Sequence, residues 1–378
     1  MRRICVVLTT RGNFAKTKTA MRAMVARPEL ELQLVAGGAL LSRQSDILDT
    51  IGKEFEITDT LDYMFAAETP AAIGASAATC LLRATDLLAR LRPDVLMVIA
   101  DRYETLALAQ AALIGNVRIA HLEGGEVSGS IDERIRHAVT KLSHYHLASS
   151  NEAAERLVRL GEHAASVAVV GSPSFDLLRD ADGIGLQGLR KRLTAEPGID
   201  LEMPFLLVSQ HPVVTEYAEA RKQYEVLANA VLELKLPVIW IWPNNDAGAQ
   251  HIREPLAKLV AAPHAPPIAV LTGIPIEEYG AALARAACLV GNSSSGIREG
   301  GFLGTPVVNI GSRQTGRQRG ANVVDVPCEV GAIVAAVRRQ IAHGRYEPDL
   351  RYGDGAAGAK IAAFLADYWP SLDKTIAY

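Results

Sequence analysis

VLMVIADRYETLALAQAALIGNVRIAHLEGGE, residues 95–126, contains a whole fold unit in one stretch. Two short apolar, β-branched runs, VLMVIA (95–100) and VRIAH (117–121), flank a segment with Ala and Leu at helical spacing that starts at ADRYETLALAQ (100–110). Runs apolar on both faces predict parallel strands covered by helices on each side. Strand, helix and strand in that order predict a βαβ unit of a doubly wound sheet. Working outward, the same signal recurs at 3–10, 32–37, 145–149 and 166–171. It repeats in the second half at 205–210, 237–242, 268–272, 287–292, 307–311 and 322–326. Helices are expected over 72–93, stopped by Pro93, and over 149–161, with cap residues at its start and Gly161 at its close. The segment 179–204 is rich in Gly, Pro and charge. The reading is therefore α/β, with two Rossmann-like domains facing a cleft. An N-terminal domain over 1–178 and a C-terminal one over 205–350 are joined by a linker over 179–204. A last segment, 351–378, is expected to form a helix that crosses back to the first domain.

Composition narrows the class. The chain has 378 residues, 49% hydrophobic and 21% charged, with a formal net charge of −3, as for a globular protein with substantial cores. There is no basic excess to neutralise a nucleic-acid backbone and no polybasic patch for an anionic membrane. Nor does any apolar run suggest the ~20 residues of a membrane span. The N-terminal apolar run is short for a signal peptide and reads as a first strand. Four cysteines, Cys5, Cys80, Cys288 and Cys328, are far apart with no CxxC pair. That pattern favours a reducing compartment, hence a cytoplasmic protein.

In open α/β sheets ligands bind beyond the carboxyl ends of strands, where strand order reverses, and the chemistry-bearing residues follow strands here. HLEGGEVSGSIDERIRHAVTKLSHYH (121–146) carries Glu123 at a strand end. Gly124, Gly125 and Gly129 give the backbone freedom to turn, and Asp132 and Glu133 fall in the first turn of a following helix, where its dipole favours carboxylates. Asp132 and Arg136, like Glu133 and His137, are i,i+4 neighbours, so capping and surface ion pairs are the plain alternative. Asp101 ends the strand 95–100 as an acid/base candidate or a helix cap. Arg102 beside it can pair with an acidic neighbour or reach a phosphate. His211, in SQHPVV, has the side chain whose ordinary pKa suits acid/base work near neutrality. GNSSSGIREGGFLGTPVVNIGSRQTGRQRG (291–320) places Ser293, Ser294, Ser295 and Gly296 at a helix start, an arrangement suited to a phosphate pair. Glu299 one turn further on suits ribose hydroxyls, and Arg313 and Arg317 offer charge-assisted bonds. Arg11 after the first strand is a diphosphate candidate, and Asn244, in WPNNDAG, either contacts ligand or shapes a turn. Neither a Walker loop nor G-x-G-x-x-G is present, and no metal-ligand cluster stands out.

Taken together, DRYETLALA, HLEGGEVSGSIDERIRHAVTKLSHYH, GSPSFD, QHPV, WPNNDAG and GNSSSGIREGGFLGTPVVNIGSRQTGR resemble the hydrolysing UDP-N-acetylglucosamine 2-epimerases over nearly the whole chain. The resemblance implies a GT-B-like pair of domains with the nucleotide held mainly by the second. It implies a UDP-sugar substrate, no cofactor and no metal, and a homo-oligomer, dimer or tetramer. Asp101, Glu123 and Asp132 match the family's acidic active-site residues and His211 its histidine. Ser294, Ser295 and Glu299 match the phosphate and ribose contacts, and Arg11 and Arg313 the diphosphate-side arginines. The non-hydrolysing sister family has E-A-G and P-E-E where this chain has E-G-G-E and I-D-E. Diacetylbacillosamine-type sugars on UDP or GDP are alternative substrates. A non-hydrolysing epimerase, a glycosyltransferase and a silent sugar-nucleotide sensor are the alternative functions.

Overall fold

The structure, a computed structural model, describes residues 1–41, 47–65, 69–127, 132–179, 181–194, 198–242 and 249–377. Its chain divides into two compact units. The first takes Met1–Val127, Ile131–Asp176 and Arg351–Tyr378, and the second is built on Leu177–Leu350.

In the first unit the order is β1 (Arg2–Leu8), α1 (Arg11–Val25), β2 (Leu30–Gly37), α2 (Ile47–Gly52), β3 (Asp59–Leu61), α3 (Pro70–Leu91), β4 (Val95–Ile99), α4 (Tyr103–Ile114), β5 (Arg118–Leu122), α5 (Asp132–Leu142), β6 (Tyr145–Ala148), α6 (Asn151–Arg159), β7 (Val167–Val169) and α7 (Pro173–Leu178). All strand pairs are parallel, in the order β3-β2-β1-β4-β5-β6-β7. The apolar runs fill both faces. Ile4, Val6 and Leu8 of β1 pack with Met21 and Met24 of α1, whereas Cys5 and Val7 pack with Leu87 and Leu88 of α3.

The second unit runs α8 (Leu186–Leu193), β8 (Leu206–Ser209), α9 (Ala220–Leu234), β9 (Val238–Ile241), α10 (Arg253–Val260), β10 (Ile268–Leu271), α11 (Ile276–Arg285), β11 (Cys288–Gly291), α12 (Ser294–Ile297), α13 (Glu299–Phe302), β12 (Val307–Ile310), β13 (Val323–Val326) and α14 (Val330–His343). Its sheet is again parallel, in the order β10-β9-β8-β11-β12-β13. Leu206 and Val208 face a core with Tyr224, Trp240 and Ile333, and Phe205 and Leu207 face one with Leu189, Tyr279 and Leu283. The expected α/β class with two Rossmann-like sheets is what forms.

The last helix, α15 (Ala357–Asp367), returns to the first unit. Its Ile361, Ala362 and Leu365 join the core beside Ala20, Met21 and Met24 of α1. The Asp176 carboxylate caps its start, accepting from the Ala357 and Gly358 amides at 2.9 and 2.7 Å. In effect the GSPSFD motif is a clasp for the C-terminal helix.

Four sequence expectations need correction. The stretch 179–204 is not a bare linker, because α8 lies within it and Leu189, Leu193 and Leu201 are core residues of the second unit. Strand β3 carried no signal, being three residues long with Asp59 and Thr60 in it. The helix after the serine run is broken in two, because Arg298, with ψ −74°, separates α12 from α13. Finally, one helix is long and apolar enough to pass as a membrane span, although Arg83, Asp86 and Arg90 interrupt it. Eighteen residues within Ala71–Leu91 reach a mean hydropathy of 1.2, which by length and composition alone would suffice to cross a membrane. Here the helix packs on α4 and puts Cys80, Ala84, Leu87 and Leu88 into the core.

Candidate active site

Strand order reverses between β1 and β4 in the first sheet and between β8 and β11 in the second. Beyond the carboxyl ends of those strands a doubly wound sheet leaves a crevice for ligands.

At the first switch point, the residue after β4 and the residue after β5 both take left-handed backbone: Ala100 has φ 57° and Glu123 φ 67°. L-residues with a side chain rarely adopt that conformation, and such outliers cluster at functional sites. The Ala100 amide donates to Leu122 O (2.9 Å) and the Glu123 amide to Leu147 O (3.0 Å), so each turn is pinned to the neighbouring strand. Glu123 is buried, and Lys16 of α1 reaches it, Nζ to Oε2 at 2.5 Å. Asp101 does not cap α4, whose N-cap is Arg102 without a side-chain cap bond. Instead its carboxylate pairs with the buried guanidinium of Arg136 on α5, which also donates to Glu126 O at 2.9 Å. Asp132, half-buried, is the first residue of that same helix. Glu133 lies 3.5 Å from His137, the surface pair expected from their spacing. Arg102 takes the acidic neighbour: its Nε lies 2.7 Å from Oε1 of buried Glu104, which also accepts from Thr9 Oγ1 at 3.0 Å. Arg11, exposed, starts α1 after capping residue Thr10.

At the second switch point, Asn292 is the organiser. Its amide bonds both backbone groups of His211, accepting from the amide at 2.7 Å and donating to the carbonyl at 2.8 Å. Its own carbonyl accepts from Arg313 (3.2 Å) and Gln314 (2.9 Å). One residue thus ties together the loop after β8, the serine loop after β11 and the arginine loop after β12. Ser293 caps α12 and its hydroxyl lies 2.8 Å from that of Ser295, which also bonds the Tyr279 hydroxyl. All three serines are half-buried. A Cβ on Gly296 would come within 2.9 Å of Val307 and 3.0 Å of Leu289, so glycine lets the loop lie against the sheet. Glu299 is buried at the start of α13. Asn244 falls outside the described residues.

His211 departs from its expectation. Burial, reinforced by the Arg313 guanidinium, pushes its pKa down to about 3, so the imidazole is neutral around pH 7 rather than poised between forms. Its Nδ1 is buried with no hydrogen-bond partner among the described residues.

Asp101, Arg102, Glu123, Asp132 and Arg11 therefore belong to the first unit, and His211, Ser293, Ser294, Ser295, Gly296, Glu299 and Arg313 to the second. Lys16, Asn292 and Tyr279 escaped the sequence reading. Lys16 and Asn292 had a usable signal, since Lys16 lies in the helix and Asn292 in the loop that follow switch-point strands. Tyr279 had none. Among the described residues, no group of three or more His, Cys, Asp or Glu is arranged to hold a metal ion.

The family model described as UDP-N-acetylglucosamine 2-epimerase matches residues 22–366. The chain is 30% identical over 367 residues to the UDP-N,N'-diacetylbacillosamine 2-epimerase (hydrolyzing) of Legionella pneumophila, covering 97% of this chain and 96% of that one. It is 30% identical over 358 residues to the UDP-N-acetylglucosamine 2-epimerase of Neisseria meningitidis, covering 94% and 92%. Among solved structures, the Neisseria meningitidis UDP-GlcNAc 2-epimerase bound to UDP-GlcNAc superposes with a TM-score of 0.81, at 17% identity, covering 97% of this chain and 100% of that one. At that identity the likeness speaks for the fold, a GT-B-like pair of Rossmann domains.

Proposed function

Because the chain belongs to the UDP-N-acetylglucosamine 2-epimerase family, we propose that it is a hydrolysing 2-epimerase. It converts UDP-N-acetylglucosamine, or a related UDP-N-acetylhexosamine, and water to the free 2-epimer (N-acetylmannosamine from the parent sugar) and UDP. The observation that carries this reading is the placement of Asp101, directly after left-handed Ala100, and of left-handed Glu123 at the ends of adjacent strands, each tied to a cation, Arg136 and Lys16. The hydrolysing branch is supported by the E-G-G-E and I-D-E strings and by the relative named as hydrolysing over nearly the full chain.

The chemistry runs in two balanced steps. Carbon 2 of the sugar carries no acidic proton in the ground state, so its loss accompanies rupture of the anomeric C–O bond. The proton passes to a carboxylate, the C–H electron pair forms the ring double bond, and UDP departs with the anomeric electron pair. The 2-acetamidoglucal then takes a proton at carbon 2 on the opposite face from an acid group, and water adds at carbon 1, giving its surplus proton to a carboxylate. Asp101, Glu123 and Asp132 supply the acid/base groups. Ser294, Ser295, Arg313 and Arg11 stabilise the departing diphosphate, and Glu299 takes the ribose. His211, neutral in the unliganded protein, is assigned to hydrogen bonding rather than to proton storage.

Proton NMR of the protein with UDP-N-acetylglucosamine and no acceptor tests the proposal. Free N-acetylmannosamine and UDP are expected. UDP-N-acetylmannosamine would make it a non-hydrolysing epimerase. No turnover of this sugar, nor of UDP- or GDP-diacetylbacillosamine, would overturn the reading. The diacetylbacillosamine sugars form the second reading, favoured by the Legionella pneumophila relative. The same family reading carries a homo-oligomer, dimer or tetramer, which light scattering on the eluted protein checks.

A further inference from the structure

His121 was singled out by none of the site assignments, yet it sits under both strained turns. It belongs to β5, is fully buried, and lies opposite Val98 of β4 and His146 of β6 in the sheet register. Its Nε2 is 2.8 Å from the carbonyl oxygen of Ala100. A carbonyl only accepts, so Nε2 carries the proton. Nδ1 is then an acceptor, and the Thr140 hydroxyl of α5 stands 3.3 Å away to donate to it. Gly124 leaves the room for this pair: a Cβ there would lie 3.0 Å from Nδ1 and 3.3 Å from Thr140 Oγ1.

We propose that His121 is a positioning residue for the acid/base site: its Nε2–H holds the Ala100 carbonyl and thereby fixes the left-handed turn that presents Asp101. The Ala100 peptide is gripped at both ends, its amide by Leu122 O and its carbonyl by this imidazole. Without the second grip only the Leu122 bond on the amide side opposes relaxation of Ala100 to an ordinary backbone conformation. Because Ala100 directly precedes Asp101, such relaxation redirects the carboxylate away from Arg136. Thr140 adds a link to α5, the helix carrying Arg136 and Asp132, so one buried ring spans β4, β5 and α5. The imidazole suits a fixed donor. Burial, chiefly, pushes its pKa down to about 4, with the Ala100 hydrogen bond and Glu123 just after its strand acting upward and His146 on β6 and Lys374 of the C-terminal tail acting downward.

The proposal rests on Asp101 being an acid/base group, and the test separates the two. His121→Phe keeps a ring but loses the donor. His121→Gln restores an amide donor near the Nε2 position. With the sugar nucleotide the wild type turns over, His121→Phe is expected to lose roughly 10- to 100-fold in kcat, with KM and UDP affinity nearly unchanged, as for a misplaced reacting group. His121→Gln is expected to recover most of it. Because the effect passes through Asp101, the Asp101→Asn/His121→Phe double variant is expected to be little slower than Asp101→Asn alone. A wild-type kcat for His121→Phe, no recovery in His121→Gln, or fully additive losses overturns the proposal. If Asp101→Asn itself retains full turnover, the acid/base assignment fails instead. Nitrogen-15 NMR of the imidazoles reads the grip without any turnover. A neutral ring protonated at Nε2 is expected at pH 7, and an Nδ1–H tautomer rules the grip out.

Discussion

Single side chains set the chemistry available at each switch point. Asp101 and Glu123 are acceptors held by Arg136 and Lys16, and a carboxylate held by a cation stays in place while its environment changes. Asp101→Asn, Glu123→Gln and Asp132→Asn each keep the shape and remove the charge. Each is expected to lose 10²- to 10⁴-fold in kcat, the usual contribution of a general acid or base, with UDP affinity in calorimetry unchanged. Wild-type turnover in all three would remove the assignment. Asn292 predicts the converse. It orders His211, the serine loop and Arg313 at once, so Asn292→Ala is expected to weaken UDP binding by at least tenfold. Equal affinity in the same calorimetric titration would count against Asn292 as organiser.

At the scale of elements, the C-terminal helix and the tail after it are built into the first unit rather than appended to it. α15 contributes Leu365, fully buried, to the core of α1 and β1. The tail then brings Lys374 to the end of α5, where Nζ donates to the carbonyls of Thr140, Lys141 and Ser143 at 2.9, 3.0 and 2.7 Å. A cation at the last carbonyls of a helix is favoured by the helix dipole. The same ammonium lies 2.6 Å from buried Glu162, which also contacts Lys141 and His146, both at 2.9 Å. Leu365→Ala is expected to cost about 2–5 kcal/mol in urea unfolding, as for other buried leucines, and Lys374→Met about 1–3 kcal/mol. A tail that merely rests on the surface would leave both midpoints where they are.

For the molecule as a whole, the buried histidines make stability depend on pH. His121 and His211 are pushed down to about 4 and about 3, and His144 and His146 shift the same way, burial being the leading cause for all four. Below the ordinary histidine value of about 6.5 the unfolded chain therefore binds protons that the folded chain refuses. The stability these groups contribute is complete above about pH 6.5 and drains away as pH falls toward 4. Glu162, held down to about 2 by His146, Lys374 and Lys141 against its burial, extends the loss below pH 4.5. Thermal midpoints are expected to drop steadily from pH 6.5 to 4, and less steeply in His121→Gln. A flat midpoint between pH 7 and 5 would contradict the burial of these rings as neutral groups. Twelve of the strands were legible as apolar runs, most of them because a parallel strand buried on both faces writes its burial locally in the chain; the half-exposed edge strands β7 and β13 were legible from their valines. The placement of Asp101, Glu123, His211 and the serines just after strands near the switch points was legible for a related reason, since each follows one of those apolar runs. The partners of those residues were not. Lys16 meets Glu123 across 107 positions, Asn292 meets His211 across 81, and His121 meets Ala100 across 21. Nor was the neutral state of His211 legible, because the desolvation and the nearby guanidinium that impose it arise only when distant strands are laid side by side. Local pattern follows from how each stretch meets water, whereas contact, burial of charge and backbone strain follow from which stretches become neighbours.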